Sequence, residues 1–269
     1  MSAQTRSEIV DLLERHGLTP VHRLGQHFLA DGNVTRKIVA VANVKEGSKV
    51  VEIGAGTGTL TKALAQAGAR VVAYEVDLGL RPVLEEETRG MDVTLRFTDV
   101  ASVDLELDLD DEGWSMVSNL PYNVGTPVLL TALRTAPSIV RFVVMVQKEV
   151  AHRLTASVGD EAYGVPSVIA ALYTSASIAF TVPPQVFYPQ PNVESSVVVM
   201  ERVTEPVGAE KAVELARAGF GQRRKMLRRS LSTVVDDPSE LLESVGIDPT
   251  SRAEDLTHED FLRLAGAVS

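Results

Sequence analysis

Between residues 49 and 146, five apolar runs rich in β-branched residues alternate with segments of helical period. The runs are 49–53, 70–75, 93–97, 114–117 and 142–146. Such alternation leaves few folds open, because each helix must cover a sheet face and successive strands then lie parallel. The expected architecture is α/β, a doubly wound Rossmann-like sheet. Two later runs, 176–182 and 196–200, are joined by the Pro-rich "PPQVFYPQPNVES", which has no helical period. They are expected as antiparallel neighbours at the sheet edge. Past about residue 205 the strand signals stop, and helical patterns occupy 210–220, 222–234, 240–245 and 252–267. The pattern predicts a large α/β domain over residues 1–203 and a small all-helical domain over 204–269.

No cysteine occurs in the 269 residues, which removes disulfides and thiolate chemistry and fits a reducing compartment. The opening "MSAQTRSEIVDLLERHG" is charged and has no apolar signal core, and no apolar run approaches the roughly 20 residues that span a bilayer. A cytoplasmic protein without a membrane partner is expected. The five histidines form no cluster with ligand spacing, so no metal is expected either. The net charge of −10 argues against a nucleic-acid partner, but the charge is uneven. Residues 104–112, "DLELDLDDE", hold six acids, whereas "QRRKMLRR" at 222–229 holds five bases and no acid. Read as a helix, that segment puts Phe220, Leu227, Leu231 and Val234 on one stripe. Arg223, Arg224, Lys225, Arg228 and Arg229 are then candidates to meet phosphates.

Residues 50–77, "VVEIGAGTGTLTKALAQAGARVVAYEVD", read as strand, glycine-rich turn, helix and second strand. Glycines fall at 54, 56 and 58, and the third glycine of a dinucleotide fingerprint would fall at 59, where Thr59 stands. G-x-G-x-G is the spacing of S-adenosylmethionine-dependent methyltransferases. A Cβ at Gly54 or Gly56 is expected to collide with such a ligand. Glu75, 21 residues after Gly54, is placed to accept from both ribose hydroxyls, and Asp99 from the exocyclic amine of the cofactor adenine.

At the end of the fourth run stands "SNLPYN", residues 118–123. These residues suit an ordinary strand-to-helix turn. They also resemble the (Asn/Asp)-Pro-Pro-Tyr motif of amino-methyltransferases that act on planar exocyclic nitrogens. Other blocks are "LGQHFLAD" (24–31), "VEIGAGTGTLT" (51–61), "VQKEVAHRLTA" (146–156), "YGVPSVIAALY" (163–173), "VPPQVFYPQPNVESSVV" (182–198) and "GFGQRRKMLRRSL" (219–231). In this order the chain resembles the small-subunit ribosomal RNA adenine dimethyltransferases of the KsgA type, over about residues 20–235.

The resemblance implies a class I methyltransferase sheet with an antiparallel edge strand, and S-adenosylmethionine as cofactor. It implies dimethylation at N6 of two adjacent adenosines near the 3′ end of 16S rRNA, within the small ribosomal subunit and by a monomer. Gly54, Gly56, Glu75, Asp99 and Asn119 would hold the cofactor, with His27 and Leu29 closing over it. The family usually has Asn at the position of His27. The Asn119 side-chain oxygen and the Leu120 carbonyl would accept from N6, Pro121 would stiffen the turn, and Tyr122 and Phe187 would stack on the two faces of the base. Two other readings share much of this pattern: a large-subunit, macrolide-resistance type methyltransferase, and a binding factor that keeps the fold without the chemistry.

Overall fold

The computed structural model describes residues 4–109 and 111–268, so Asp110 of the acidic run and residues 1–3 lie outside the described residues. Its strands are β1 (Phe28–Leu29), β2 (Lys49–Ile53), β3 (Arg70–Glu75), β4 (Val93–Phe97), β5 (Trp114–Asn119), β6 (Ile139–Gln147), β7 (Thr174–Val182), β8 (Phe187–Tyr188) and β9 (Ser195–Arg202). The helices are α1 (Arg6–Arg15), α2 (Gly32–Val41), α3 (Thr59–Gln66), α4 (Arg81–Glu87), α5 (Leu105–Asp108), α6 (Gly125–Thr135), α7 (Lys148–Thr155), α8 (Val165–Tyr173), α9 (Ala209–Gly221), α10 (Leu227–Ser230), α11 (Pro238–Ser244) and α12 (His258–Ala267).

Seven strands form one sheet in the order β4-β3-β2-β5-β6-β9-β7. β2, β3, β4, β5 and β6 pair in parallel, and the near-continuous apolar runs of β2, β3, β5 and β6 fit strands covered on both faces, with β4 at the edge. β9 runs antiparallel to β6, with Gln147 opposite Ser195, and β7 lies outside it at the edge. The chain winds outward from β2 through β3 to β4, then returns to the other side of β2 at β5. The order thus reverses between β2 and β5, and a crevice opens at the carboxyl ends of such a pair. A buried hydrogen bond of 2.9 Å from the Ile53 N–H to Ser118 Oγ ties the two strands where it opens. The core behind it includes Val50, Leu64, Val71, Val83, Val117 and Val143, all fully buried.

The chain clusters into two compact units, Met1–Ala151 with Ser177–Glu201, and His152–Ala176 with Arg202–Ser269. Residues 152–176 thus join the C-terminal helices, whereas the sequence pattern kept them in the α/β part. The reason is packing: α8 meets α9 and α12, and the Tyr163 hydroxyl donates to the Leu256 carbonyl at 2.8 Å. Phe220 lies against Tyr163 and Phe261 in the same cluster.

Two helical expectations need correction. Residues 222–234 are not one helix: Gln222–Met226 form turns and an extended residue, followed by α10 and a 3-10 turn, Leu231–Thr233. Leu227 N–H donates to Ser251 O and Arg228 N–H to Pro249 O, so a neighbouring loop supplies partners that a helix would have provided internally. Likewise 252–267 breaks at Leu256–Thr257, because Thr257 caps α12 through a reciprocal pair with Asp260. No helix among the described residues is long and apolar enough to cross a membrane.

Candidate active site

The glycine turn leads from β2 into α3 with positive φ at Gly54 (79°), Gly56 (60°) and Gly58 (82°), a region that side chains rarely enter. A Cβ on Gly54 would stand 3.1 Å from the Pro121 ring, and one on Gly56 would stand 3.0 Å from the Phe28 ring. At both positions the chain's own rings stand where a Cβ would go. This packing locks the turn against β5's exit on one side and β1 on the other. Glu75, at the end of β3 and 6% exposed, accepts from the Gly56 N–H at 2.8 Å and the Asp77 N–H at 2.9 Å. Burial raises its pKa against the pull of those two donors. Asp99, just past β4, accepts from the Ala101 N–H at 3.0 Å through Oδ1.

β5 ends on Asn119. Its Nδ2 donates to the His27 carbonyl at 3.1 Å, which leaves Oδ1 as the acceptor end of the amide. Leu120 is buried, and its N–H donates to Met145 O at 3.1 Å, fixing the peptide on β6. Pro121 O receives the Gly125 N–H at 2.8 Å as α6 begins. The Tyr122 hydroxyl bonds Ser195 Oγ at 2.5 Å, and its ring lies 5.2 Å from the His27 ring at 34°. His27 Nδ1 meets the Pro189 carbonyl at 2.7 Å, and since a carbonyl can only accept, Nδ1 carries the proton.

These residues converge on one cleft at the β2/β5 crevice, lined by His27, Leu29, Gly54, Gly56, Glu75, Asp99, Asn119, Leu120, Pro121 and Tyr122 among others. A second cavity adjoins it through Gln26, His27 and Tyr122, and its other walls are Pro20, His22, Gln147, Pro189, Gln190, Pro191, Asn192 and Val193.

Phe187 is the exception. Its ring is 0% exposed and belongs to the core cluster, and it lines neither cavity. It pairs with Leu29 in the β1/β8 ladder, whose alternation sends Phe187 inward. As it stands, it has no face to offer a base.

Sequence reasoning missed Glu52, in the middle of "VVEIGAG". It is 1% exposed, lines the cleft, and its Oε2 has no hydrogen-bond partner among the described residues. Burial pushes its pKa up to about 8, helped by Glu75 and opposed by Thr61. An acid inside an apolar strand was the signal.

The basic residues lie in the second unit. Arg223, Arg224, Lys225, Arg228 and Arg229 are exposed. Arg223 is held, bonding Glu254 at 2.8 Å and the Glu161 carbonyl at 3.2 Å. Among the described residues no group of three or more His, Asp or Glu could hold a metal ion.

Residues 20–268 match the profile of the ribosomal RNA adenine dimethylase family. The chain belongs to that family. A ribosomal RNA small subunit methyltransferase A from Leifsonia xyli subsp. xyli is 46% identical, the alignment covering 96% of each chain. One from Phenylobacterium zucineum is 42% identical over 99% of this chain and 94% of its own. Among solved structures, a dimethyladenosine transferase from Plasmodium falciparum superposes with TM-score 0.73 at 23% identity, covering 88% of this chain and 96% of that one. The 23S rRNA methyltransferase ErmE does so with TM-score 0.68 at 22% identity, covering 90% and 99%. At those identities the likeness shows the fold alone. For this adenine dimethylase the tetrapeptide 119–122 and the glycine turn 54–58 line one cleft, a juxtaposition that the 60 residues between them (59–118) conceal.

Proposed function

We propose that this chain transfers methyl groups from S-adenosylmethionine to N6 of two adjacent adenosines near the 3′ end of 16S rRNA, in the small ribosomal subunit. The observation that carries the reading is the meeting of Asn119, Leu120, Pro121 and Tyr122 with Glu75 and the glycine turn in one cleft, in a chain of the dimethylase family. The donor set fits the cofactor. Glu75 is a buried carboxylate at a strand end, Asp99 keeps one oxygen uncommitted to Ala101, and Gly54 to Gly58 bring backbone close without side chains. Leu29 and His27 line the same cleft. When bound, S-adenosylmethionine supplies a methyl already activated by its sulfonium.

The chain's task is alignment and charge stabilisation, since adenine N6 is a weak nucleophile whose lone pair is delocalised. Asn119 Oδ1 and the Leu120 carbonyl accept from N6, which draws the lone pair out of conjugation and stabilises the positive charge that develops there. The bonds from Asn119 to His27 and from Leu120 to Met145 hold both acceptors in advance. Tyr122 presents its ring to the base, held by Ser195. Extruding the base costs a few kcal/mol, and aromatic stacking worth about 1–3 kcal/mol offsets much of it. The second cavity is the entry side: its walls are amides, imidazoles, prolines, Tyr122 and Val193, with no Asp, Glu, Lys or Arg, which suits a neutral base better than a phosphate. We assign rRNA backbone contact to exposed Arg224, Lys225, Arg228 and Arg229, and action as a cytoplasmic monomer. The test is transfer of a tritiated methyl from S-adenosylmethionine to unmethylated small subunits. Label on two adjacent adenosines of 16S rRNA supports the reading. Label confined to 23S rRNA, or none, overturns it.

A further inference from the structure

Gln4 is 6% exposed, and a side-chain amide buried that deeply needs hydrogen-bond partners. It sits against the glycine turn. Its Oε1 accepts from the Thr57 and Thr59 hydroxyls, each at 2.7 Å, and its Nε2 donates to the Thr57 carbonyl at 3.0 Å and to Glu87 Oε2 at 3.1 Å. A carbonyl and a carboxylate only accept, so the amide's orientation is fixed and all four of its hydrogen-bonding positions are used. Thr57 and Thr59 are 2% and 5% exposed and line the cleft. One residue earlier, the Gly56 N–H bonds the Glu75 carboxylate. Gln4 therefore grips the peptide between the carboxylate and the start of α3.

The grip has an anchor of its own. Thr5 caps α1 in a reciprocal pair with Glu8, and Ile9, Leu12 and Leu13 of α1 are buried in the core. At its other end, Arg15 and His16 bond Glu86 at 3.0 and 2.9 Å. Residues 4–19 precede the stretch that matches the family profile.

We propose that Gln4 is a positioning residue for cofactor binding: it holds the turn 54–58, and through Gly56 the Glu75 carboxylate, in the shape that receives S-adenosylmethionine. The proposal rests on the cofactor reading above. With the turn held beforehand, binding does not have to order it, and preorganisation of this kind appears in affinity.

The test uses the full-length chain. Gln4→Leu keeps the size and removes all four bonds. Gln4→Glu keeps the two acceptor contacts but sets a carboxylate against both Glu87 and the Thr57 carbonyl, and Glu87→Gln added to it restores a donor toward the first of these. Three quantities are read: the S-adenosylmethionine dissociation constant by calorimetry, amide hydrogen exchange at residues 56–59 without cofactor, and KM for the cofactor against kcat. For Gln4→Leu, the dissociation constant and KM should rise about tenfold, a factor set by about 1.4 kcal/mol. Protection at 56–59 should fall, with kcat at saturating cofactor nearly unchanged. Gln4→Glu should show the same defect, and Glu87→Gln should relieve it; this pair decides the matter if Gln4→Leu does not fold. Cofactor affinity unchanged in Gln4→Leu, with only a lower melting temperature, would overturn the proposal. A wild-type chain that fails to bind S-adenosylmethionine would overturn the cofactor reading and the proposal with it.

Discussion

Asn119 shows how little of a side chain's role is set by its identity. Its Nδ2 is committed to the His27 carbonyl, and the residue lines the cleft; in the catalytic role proposed above, Oδ1 is the half that acts. Asn119→Ala is expected to lower kcat by about 100- to 1000-fold, with rRNA binding changed little, as measured by single-turnover methyl transfer and filter binding. Tyr122 is less simple than a stacking ring. Its hydroxyl is the partner of Ser195 Oγ, a residue that is 0% exposed. Tyr122→Phe leaves that hydroxyl without this partner, so it should cost about 1–3 kcal/mol of stability in denaturant unfolding, and adding Ser195→Ala should recover most of it. Glu52 gives a pH signature. Its pKa is about 8 in the folded chain against the ordinary 4.5, so between those values the folded state keeps a proton that the unfolded state has lost. Stability therefore falls as pH rises through that window. Glu52→Gln has no proton to lose, so its stability relative to wild type should be greater near pH 8 than near pH 4.5, measured by denaturant unfolding at both.

Elements were legible where one segment determined them. β2 and β3 begin and end where their apolar runs do, because strands buried on both faces need continuous apolar sequence, and the edge strand β4 matches its alternating run Val93–Phe97. The segment 222–234 was misread because its apolar spacing fits a helix, while its hydrogen-bond partners lie near residues 249–251. The ladder of β1 with β8 was invisible for the same reason: two residues on each side carry no period, and their pairing spans about 160 positions. The basic segment still presents Arg224, Arg228 and Arg229 outward. Changing these three to Ala together should weaken subunit binding and reduce its salt dependence by up to about three counterions. Arg223→Ala should change the slope less, since that guanidinium is occupied by Glu254 and the Glu161 carbonyl.

At the scale of the whole molecule, α8 packs on α9 and α12 although about 35 residues separate it from α9. A fragment ending at residue 203 would keep α8 and lose those partners, exposing a helix whose Val168, Ile169, Ala170, Leu172 and Tyr173 are buried in the full chain. That fragment is expected to bind a hydrophobic dye and to elute as aggregates in size exclusion, whereas the full chain does neither. The sequence by itself determined the α/β class, the positions of the parallel strands and the glycine turn. All of these rest on periodicity or steric rules that act within a dozen residues. Tertiary structure alone decided that Phe187 faces the core, that Glu52 is a buried acid, that the His27 ring lies beside Tyr122 and that Gln4 bonds Thr57 and Thr59 of the glycine turn. Each depends on what lies across the sheet or down the chain, and burial and hydrogen bonding are set by those distant neighbours rather than by the residues adjacent in sequence.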